Sequence, residues 1–418
     1  MANKPYGGSG SREYNQLGTD ILGHSNGDLF GSAVVMSKDG LRVAIAAPGE
    51  NSQKGVVRVY QWNAFSEQWD QLGQEICGDA AYDTLGYSMA MNEDGSRIAV
   101  GAPESHNNDG CMRVYALDSS TNNSNNSQWQ MIGNTINPTG TRHRGRAGES
   151  VSMNAAGDRV AFGAPRTNLW NGRVEVFQLN PNNGQWVTLG GCIDSDVYAF
   201  SGGSIALSAN GNRIVVGGRL DAYYHGTVKV YDYDENESSW LLNGVLIGSY
   251  YYDRFGGDVD MSEDGTRIVV GAYTSDGTGQ DAYVYNAGEF EVFEYDTNAN
   301  GNWARLGDPI LGNHAMDELG QTVVISGDGT HVAVSSPGSD QHETNGGKIQ
   351  VYTFNDVNQQ WELIEAANLL TGGSANANYG GGGRAIAMDR SGTRIAAGAN
   401  ALSGGKEGIA SVFEATHA

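Results

Sequence analysis

The sequence predicts an all-β fold, a seven-bladed β-propeller of four-stranded antiparallel blades closed by the N-terminal strand joining the last blade. Three observations predict it. One order of motifs recurs seven times along the 418 residues, and a long-period repeat of this kind marks a propeller or solenoid. Each copy divides into four short runs rich in Val, Ile, Tyr and Phe, separated by Gly, Asn and Asp clusters, which is the pattern of strands and tight turns. The first motif of the chain is the one its last copy lacks. A four-stranded sheet cannot bury both faces alone, whereas seven stacked radially bury them and shelter their edges.

The four strands of a unit are called A to D. In the first copy A runs through Phe30 to Ser37, B through Arg42 to Pro48, C through Gly55 to Tyr60 and D through Trp69 to Gly73. The glycines leading strand A read as Gly31, Gly86, Gly148, Gly202, Gly256, Gly320 and Gly383, spaced by 55, 62, 54, 54, 64 and 63 residues. Between A and B lie Asp39-Gly40, Asp94-Gly95, Asn210-Gly211, Asp264-Gly265 and Asp328-Gly329, pairs that tolerate the positive φ of a tight hairpin. Their acids read as turn formers. The last copy stops after strand C at Ile409 to Phe413, while Tyr14-Asn15-Gln16-Leu17-Gly18 matches Trp69 to Gly73 with nothing before it. Residues 14–23 therefore complete blade seven, and 14–418 form one propeller behind a flexible tail, 1–13, whose Gly7 to Ser11 run resembles a linker.

Composition narrows the function. Lys and Arg number 25 against 48 Asp and Glu, a net charge of -23, so nucleic-acid binding through a basic face is not expected. No stretch reaches the roughly 18 apolar residues of a membrane helix, and membrane insertion is not expected either. Cys77, Cys111 and Cys192 are odd in number and irregular in spacing, giving neither a disulfide framework nor a CxxC metal pair. An acidic chain with six lysines suits a salty or extracellular medium.

Phe30-Gly31 and Phe255-Gly256, with Gly101-Ala102-Pro103 and Gly163-Ala164-Pro165, resemble the FG-GAP repeat of integrin α-chain N-terminal propellers and their bacterial and algal relatives. The resemblance covers nearly the whole chain after residue 13 and implies an extracellular or cell-surface adhesion role. The third motif departs from the pattern as Gly217-Gly218-Arg219, Gly271-Ala272-Tyr273, Ser335-Ser336-Pro337 and Gly398-Ala399-Asn400. Integrin-type repeats often carry an Asp-x-Asp-x-Asp-Gly calcium loop between A and B. Here a two- or three-residue turn replaces it, so calcium is not expected at the family's position.

Repeated features read as scaffold: Arg42, Arg97, Arg159, Arg213, Arg267, His331 and Arg394 opening strand B in the seven copies, and Trp69, Trp129, Trp186, Trp240, Trp303 and Trp361 opening strand D in six. Each such arginine is expected to stack on an aromatic or to pair with a carboxylate of the adjacent blade. Function is expected where the copies differ, in the loops of a rigid scaffold. The D-to-A and B-to-C loops emerge on one face, which carries six of the eight histidines, His24, His106, His143, His225, His314 and His342. Asp28, Asp83, Asp253 and Asp317 each stand three residues before a strand A glycine. They are candidate ligands for a hard cation such as calcium, or else caps of loop amides.

Blade three departs most sharply, and the neighbouring blades add aromatics on the same face. Arg142, His143, Arg144, Arg146 and Trp170 are joined on this face by Tyr198, Tyr223, Tyr224, His225, Tyr251 and Tyr252. Aromatic planes beside guanidinium groups suit a sugar bearing carboxylate or sulfate, and protein hot spots use the same residues. The alternative is that the arginines neutralise nearby acids and the tyrosines pack loop on loop. No nucleophile elbow, His-Glu-x-x-His, P-loop or dinucleotide fingerprint is present, so no catalytic residue is assigned. The sequence therefore points first to a non-catalytic binding or adhesion module recognising a glycan or protein. A polysaccharide lyase or hydrolase using the same face is the second reading, and a structural subunit serving as a docking platform the third.

Overall fold

The computed structural model describes residues 12–118, 127–140, 144–195, 198–279, 282–296, 301–340, 345–364, 379–381, 384–400 and 407–417. Seven antiparallel sheets each run in the order A-B-C-D, and consecutive A strands touch around a complete circle. In blade one these strands are Val34–Met36, Arg42–Ala47, Val56–Asn63 and Gln68–Gln71. Strand B is the most buried element, with every residue after its opening arginine inside. The core lies between blades: Ala46, Val57 and Val59 of blade one pack with Leu85, Ile98 and Val100 of blade two. No blade has a core of its own, which is why the sequence repeats until the ring closes. No helix among the described residues is long and apolar enough to cross a membrane.

Closure follows the sequence expectation. Arg12–Gln16 pairs antiparallel with Ile409–His417, placing Tyr14 opposite Ala415 and Gln16 opposite Phe413, and Ile21 continues the ladder opposite Ala410. The strand begins at Arg12, so Arg12 and Glu13 belong to the sheet instead of the expected tail, of which residues 1–11 lie outside the described residues. Blade seven also corrects the glycine register. The amide of Gly380 donates to the carbonyl of Gly398 at 2.9 Å, as Gly31 does to Ala46 at 2.9 Å. Gly380 is thus the leading glycine, and Gly383 lies outside the described residues. Gly380 stands at positive φ, 76°, and within the run Gly380-Gly381-Gly382-Gly383 the motif spacing alone does not select it.

The repeated arginines and tryptophans bind blade to blade. Arg97, Arg213 and Arg267 each donate from Nη1 to the A-B turn carbonyl of the next blade, Gly157, Gly265 and Gly329, at 2.9 Å, and Arg394 reaches Gly40 at 3.2 Å to close the circle. Arg213 also lies 4.5 Å from the Tyr295 ring of the next blade. Its carboxylate partner is Asp232, directly opposite on its own blade at 2.6 Å, so the expected pairing with an adjacent blade's acid is corrected here. Trp69, Trp129, Trp240 and Trp361 donate from Nε1 to carbonyls of the preceding blade at 2.9 Å.

The inner end of the A-B turns carries a backbone belt. Amide-to-carbonyl bonds run from Lys38 to Glu93, Glu93 to Ala155, Ala155 to Ala209, Ala209 to Glu263, Glu263 to Gly327, Asp328 to Arg390 and Arg390 to Lys38, all between 2.8 and 3.1 Å. Across the same end Arg390 pairs with Glu263 at 2.8 Å and with Glu93. This belt draws the strand A ends together, and the channel above it, about 240 Å³, is walled by strand A side chains such as Val35, Ala90 and Val324.

Candidate functional site

The opposite face is built from loops with an unusual backbone. Asn51-Ser52-Gln53, His106-Asn107-Asn108 and Asn168-Leu169-Trp170 each hold three consecutive residues at positive φ. A glycine amide closes each loop, Gly55 onto Glu50 at 3.1 Å, Gly110 onto Ser105 at 3.0 Å and Gly172 onto Thr167 at 3.1 Å. The left-handed region costs about 1–2 kcal/mol per non-glycine residue, and Asn relieves part of that by local hydrogen bonding. In blade three the positions after Asn168 are Leu169 and Trp170, and both side chains are exposed.

Trp170 begins a stack. Arg166 lies 5.0 Å from the Trp170 ring, Trp170 stacks on Phe200 at 5.7 Å and 23°, and Arg219 lies 3.9 Å from the centre of the Phe200 ring. A second aromatic group stands on blades four and five. Tyr251 and Tyr252 are 4.1 Å apart, Tyr224 is 5.3 Å from Tyr252, and His225 is 5.9 Å from Tyr251. With Tyr198, which stands apart on the loop into blade four, Trp170, Tyr224, Tyr251 and Tyr252 are between 42% and 58% exposed. The structure thus brings Tyr224, His225, Tyr251 and Tyr252 together as the sequence pattern suggested. The side chain of Tyr223 lies outside the described residues, as do Arg142 and His143.

Two arginine expectations separate. Arg144 lines an open pocket of about 750 Å³ with Arg166, Asn168, Leu169 and Trp170. Arg146 touches the same pocket but is buried and paired with Glu104 and Glu149, each at 2.8 Å, above the Tyr87 ring at 5.3 Å. Its guanidinium neutralises protein carboxylates, which was the alternative reading of this cluster.

The four aspartates do not converge. Asp83 accepts from the amides of Asp79 and Ala80 at 3.2 and 3.0 Å, the loop-capping alternative. Asp317 faces Lys348 at 3.3 Å and His314 at 3.6 Å. Burial, then the Glu50 charge, raises the carboxyl of Asp28, and burial pushes Asp253 up to about 6. Among the described residues, His24, Glu50 and Glu75 are the one group whose donor atoms cluster closely enough for a metal, and Arg58 occupies its centre, 2.7 Å from Glu50 and 2.8 Å from Glu75.

Blade five holds two further buried acids. Glu289 accepts from the Ser275 hydroxyl at 3.0 Å and is pushed up to about 7 by burial and then by the charge of Glu291, which pairs with Arg305. Asp258 accepts from Ser204 at 2.7 Å and from the Val323 amide at 2.9 Å, and burial pushes it up to about 7. The native state keeps both protons above pH 5 whereas the unfolded chain has released them. Stability contributed at low pH is therefore lost as pH rises from the unfolded pKa toward 7, by up to about 1.4 kcal/mol per pH unit for each group. Glu289→Gln mimics the protonated acid. It should raise the melting temperature at pH 8 and leave it nearly unchanged at pH 4.5, and a variant less stable than the parent at pH 8 would contradict this.

Sequence reasoning missed Arg254 and Arg384 as members of this face. The available signal was positional: Arg219 and Tyr273 stand where other blades carry the proline of the third motif.

No protein family's sequence model matches the chain, and no curated protein matches it. Solved structures share the fold. A 6-phosphogluconolactonase candidate from Bacteroides uniformis superposes with a TM-score of 0.55 at 14% identity, over 82% of this chain and 86% of that one. Hydrazine synthase of Kuenenia stuttgartiensis gives 0.55 at 14% over 92% and 95%, and a second 6-phosphogluconolactonase candidate, from Bacteroides fragilis, gives 0.53 at 13% over 85% and 94%. At such identities the likeness is one of fold.

Proposed function

We propose that this propeller is a non-catalytic binding module, extracellular or cell-surface, that recognises a glycan or protein through the D-to-A and B-to-C loop face of blades three to five. The observation that carries the reading is the grouping of exposed aromatics, Trp170 beside its pocket and Tyr224, Tyr251 and Tyr252 in mutual contact. Rigid aromatic planes present apolar area with little entropy to lose, and each retains a polar edge. Tyrosine and tryptophan dominate binding hot spots for the same reason. The adhesion role implied by the FG-GAP resemblance agrees with this face, and calcium is carried as a condition of the test.

Binding of the purified chain to neutral, uronic and sulfated glycans, with calcium and with chelator, tests it. Trp170→Ala and a Tyr251→Ala/Tyr252→Ala double variant should each weaken a hit about thirtyfold, the loss of one hot spot of roughly 2 kcal/mol. Absence of binding to every glycan would remove the lectin-like form and direct the search to protein ligands. The second reading, an enzyme acting on a sugar at the same face, draws support from Arg254 donating to the Tyr273 hydroxyl at 2.7 Å beside the channel. The solved structures described as 6-phosphogluconolactonase candidates make a sugar lactone one substrate to include. Turnover of any bound glycan or lactone would decide for it.

A further inference from the structure

The repeat breaks in a concerted way in blades four and five, and again in blade seven, where Asn400 closes the third motif and Gly381 follows the leading glycine. The residue that closes the third motif is Pro48, Pro103, Pro165 and Pro337 in blades one, two, three and six, but Arg219 in blade four and Tyr273 in blade five. The residue after the leading glycine is Ser32, Tyr87, Glu149 and Gln321 in those same four blades, but Gly203 and Gly257 in blades four and five. A Cβ at Gly257 would stand 2.7 Å from Cε1 of Tyr273, and one at Gly203 would stand 3.2 Å from Cδ1 of Phe200. The two glycines therefore make room for two aromatic rings at the channel mouth.

Those rings seat cations. Arg219 lies 3.9 Å from the centre of Phe200, and Arg254 lies 5.1 Å from the centre of Tyr273 while donating to its hydroxyl. From the other side of the channel Arg384 of blade seven donates to the Gly203 carbonyl at 3.0 Å and lies 5.2 Å from the Tyr87 ring. Burial, first, disfavours the charge on Arg219; Tyr273 and Glu149 favour it, and the charges of Arg254 and Arg384 oppose it in turn. Among the described residues none of the three forms an ion pair, in a chain with 48 acids. The nearest carboxylates act on these cations through space without bonding to them: Glu149 is held by Arg146 at 2.8 Å, and Glu318 accepts from the Gln321 amide at 2.8 Å. Like charges gathered at a half-buried mouth repel, and an anion bound between them converts that repulsion into attraction.

We propose that the channel mouth between blades four, five and seven is an oxyanion-binding site, in which Arg219, Arg254 and Arg384 hold a sulfate, phosphate or carboxylate group. Guanidinium forks match the oxygens of all three groups, and the aromatic rings beneath fix the forks in place. The site adjoins the exposed aromatic group through Phe200, which stacks on Trp170, but it is built by the repeat's exceptions and requires no glycan on the outer loops.

The decisive variant is Arg219→Pro, which restores the residue four sister blades carry. Among the described residues the Arg219 amide donates to no backbone carbonyl, so proline removes the cation without removing such a bond. Calorimetric titrations of the full chain with sodium sulfate, inorganic phosphate, D-glucuronate and neutral glucose at low ionic strength provide the readout. The anions should bind and glucose should not. Arg219→Pro and Arg384→Gln should each weaken binding about tenfold or more, the loss of a charge-assisted hydrogen bond, with melting temperature held by Arg219→Pro. Lys54→Gln, which removes a cation on the same face of blade one, should change nothing. Tighter binding of glucuronate than of sulfate assigns the group to an anionic sugar, and the reverse assigns a free inorganic ion. Failure of all three anions to bind, equal binding of glucose, or an equal loss in Lys54→Gln overturns the proposal. Should Arg219→Pro misfold, Arg384→Gln carries the same test from outside the motif.

Discussion

Deleting residues 12–18 should abolish cooperative folding of the entire ring. The segment supplies the outer strand of blade seven, and Tyr14 is buried in a core with Ile349, Val351 and Ile364 of blade six and Ile395 and Phe413 of blade seven. Its hydroxyl donates to the carbonyl of Gly392. Leu17 accepts the indole N-H of Trp69 at 2.9 Å, so the same strand also anchors blade one. Removing an aromatic side chain of this kind costs about 3–5 kcal/mol. The deletion adds a strand edge left unpaired and bares apolar surface on three blades, which together approach the whole stability of a typical domain, about 5–15 kcal/mol. Because the cores lie between blades, the loss cannot stay local. Chemical denaturation followed by circular dichroism should show no cooperative transition for the deleted chain, and a peptide of residues 12–23 added in trans should restore one. A deleted chain that unfolds at the parental midpoint would show that the clasp is dispensable. Tyr14→Phe isolates the hydroxyl and should cost only about 1 kcal/mol.

That clasp was legible because it repeats a motif: Tyr14 to Gly18 can be laid on Trp69 to Gly73 without any knowledge of the fold. The same holds for the arginines opening strand B and the tryptophans opening strand D, whose recurrence announced a scaffold role before any partner was known. What repetition left open was the partner itself. Arg213 finds its acid, Asp232, one strand away on its own blade because the two are directly paired in the ladder, a register that motif spacing alone does not give. Repetition also misplaced the last leading glycine, since four consecutive glycines satisfy the pattern equally. On the candidate site, residue type located the face but not the contacts. Arg146 is as cationic as Arg144, yet Glu104 and Glu149 claim it, and the four aspartates share a sequence position without sharing a site. Arg254 and Arg384 escaped notice because each is ordinary within its own blade. They gain meaning only when ring closure sets blade seven across the channel from blade four.

Arg58→Ala should be among the most destabilising single changes on the chain. Its guanidinium is 1% exposed, donates from Nε to Glu75 at 2.8 Å and from Nη2 to Glu50 at 2.7 Å and His24 at 2.8 Å. Glu50 is itself buried, and its Oε2 has no hydrogen-bond partner among the described residues. Removing the cation leaves that buried carboxylate without its hydrogen-bonded partner, with only His24 at 3.7 Å beside it, a change that costs about 3–5 kcal/mol in comparable buried pairs. Most of the penalty belongs to the orphaned acid and not to the lost attraction. Adding Glu50→Gln to Arg58→Ala should therefore recover much of the loss, a non-additivity that a double-mutant cycle reads directly. The alternative, that Arg58 acts through packing on Phe30 at 6.0 Å, gives additive losses. The geometry offers a second check. One donor atom from each of His24, Glu50 and Glu75 lies within 4.8 Å of the others, with Arg58 holding the position a cation would take. Zinc accepts this His and carboxylate set, and binding to the native state alone raises its stability. Zinc should thus raise the melting temperature of Arg58→Ala and leave the parent unmoved. An unchanged variant would mean that the three side chains relax apart once the guanidinium is gone.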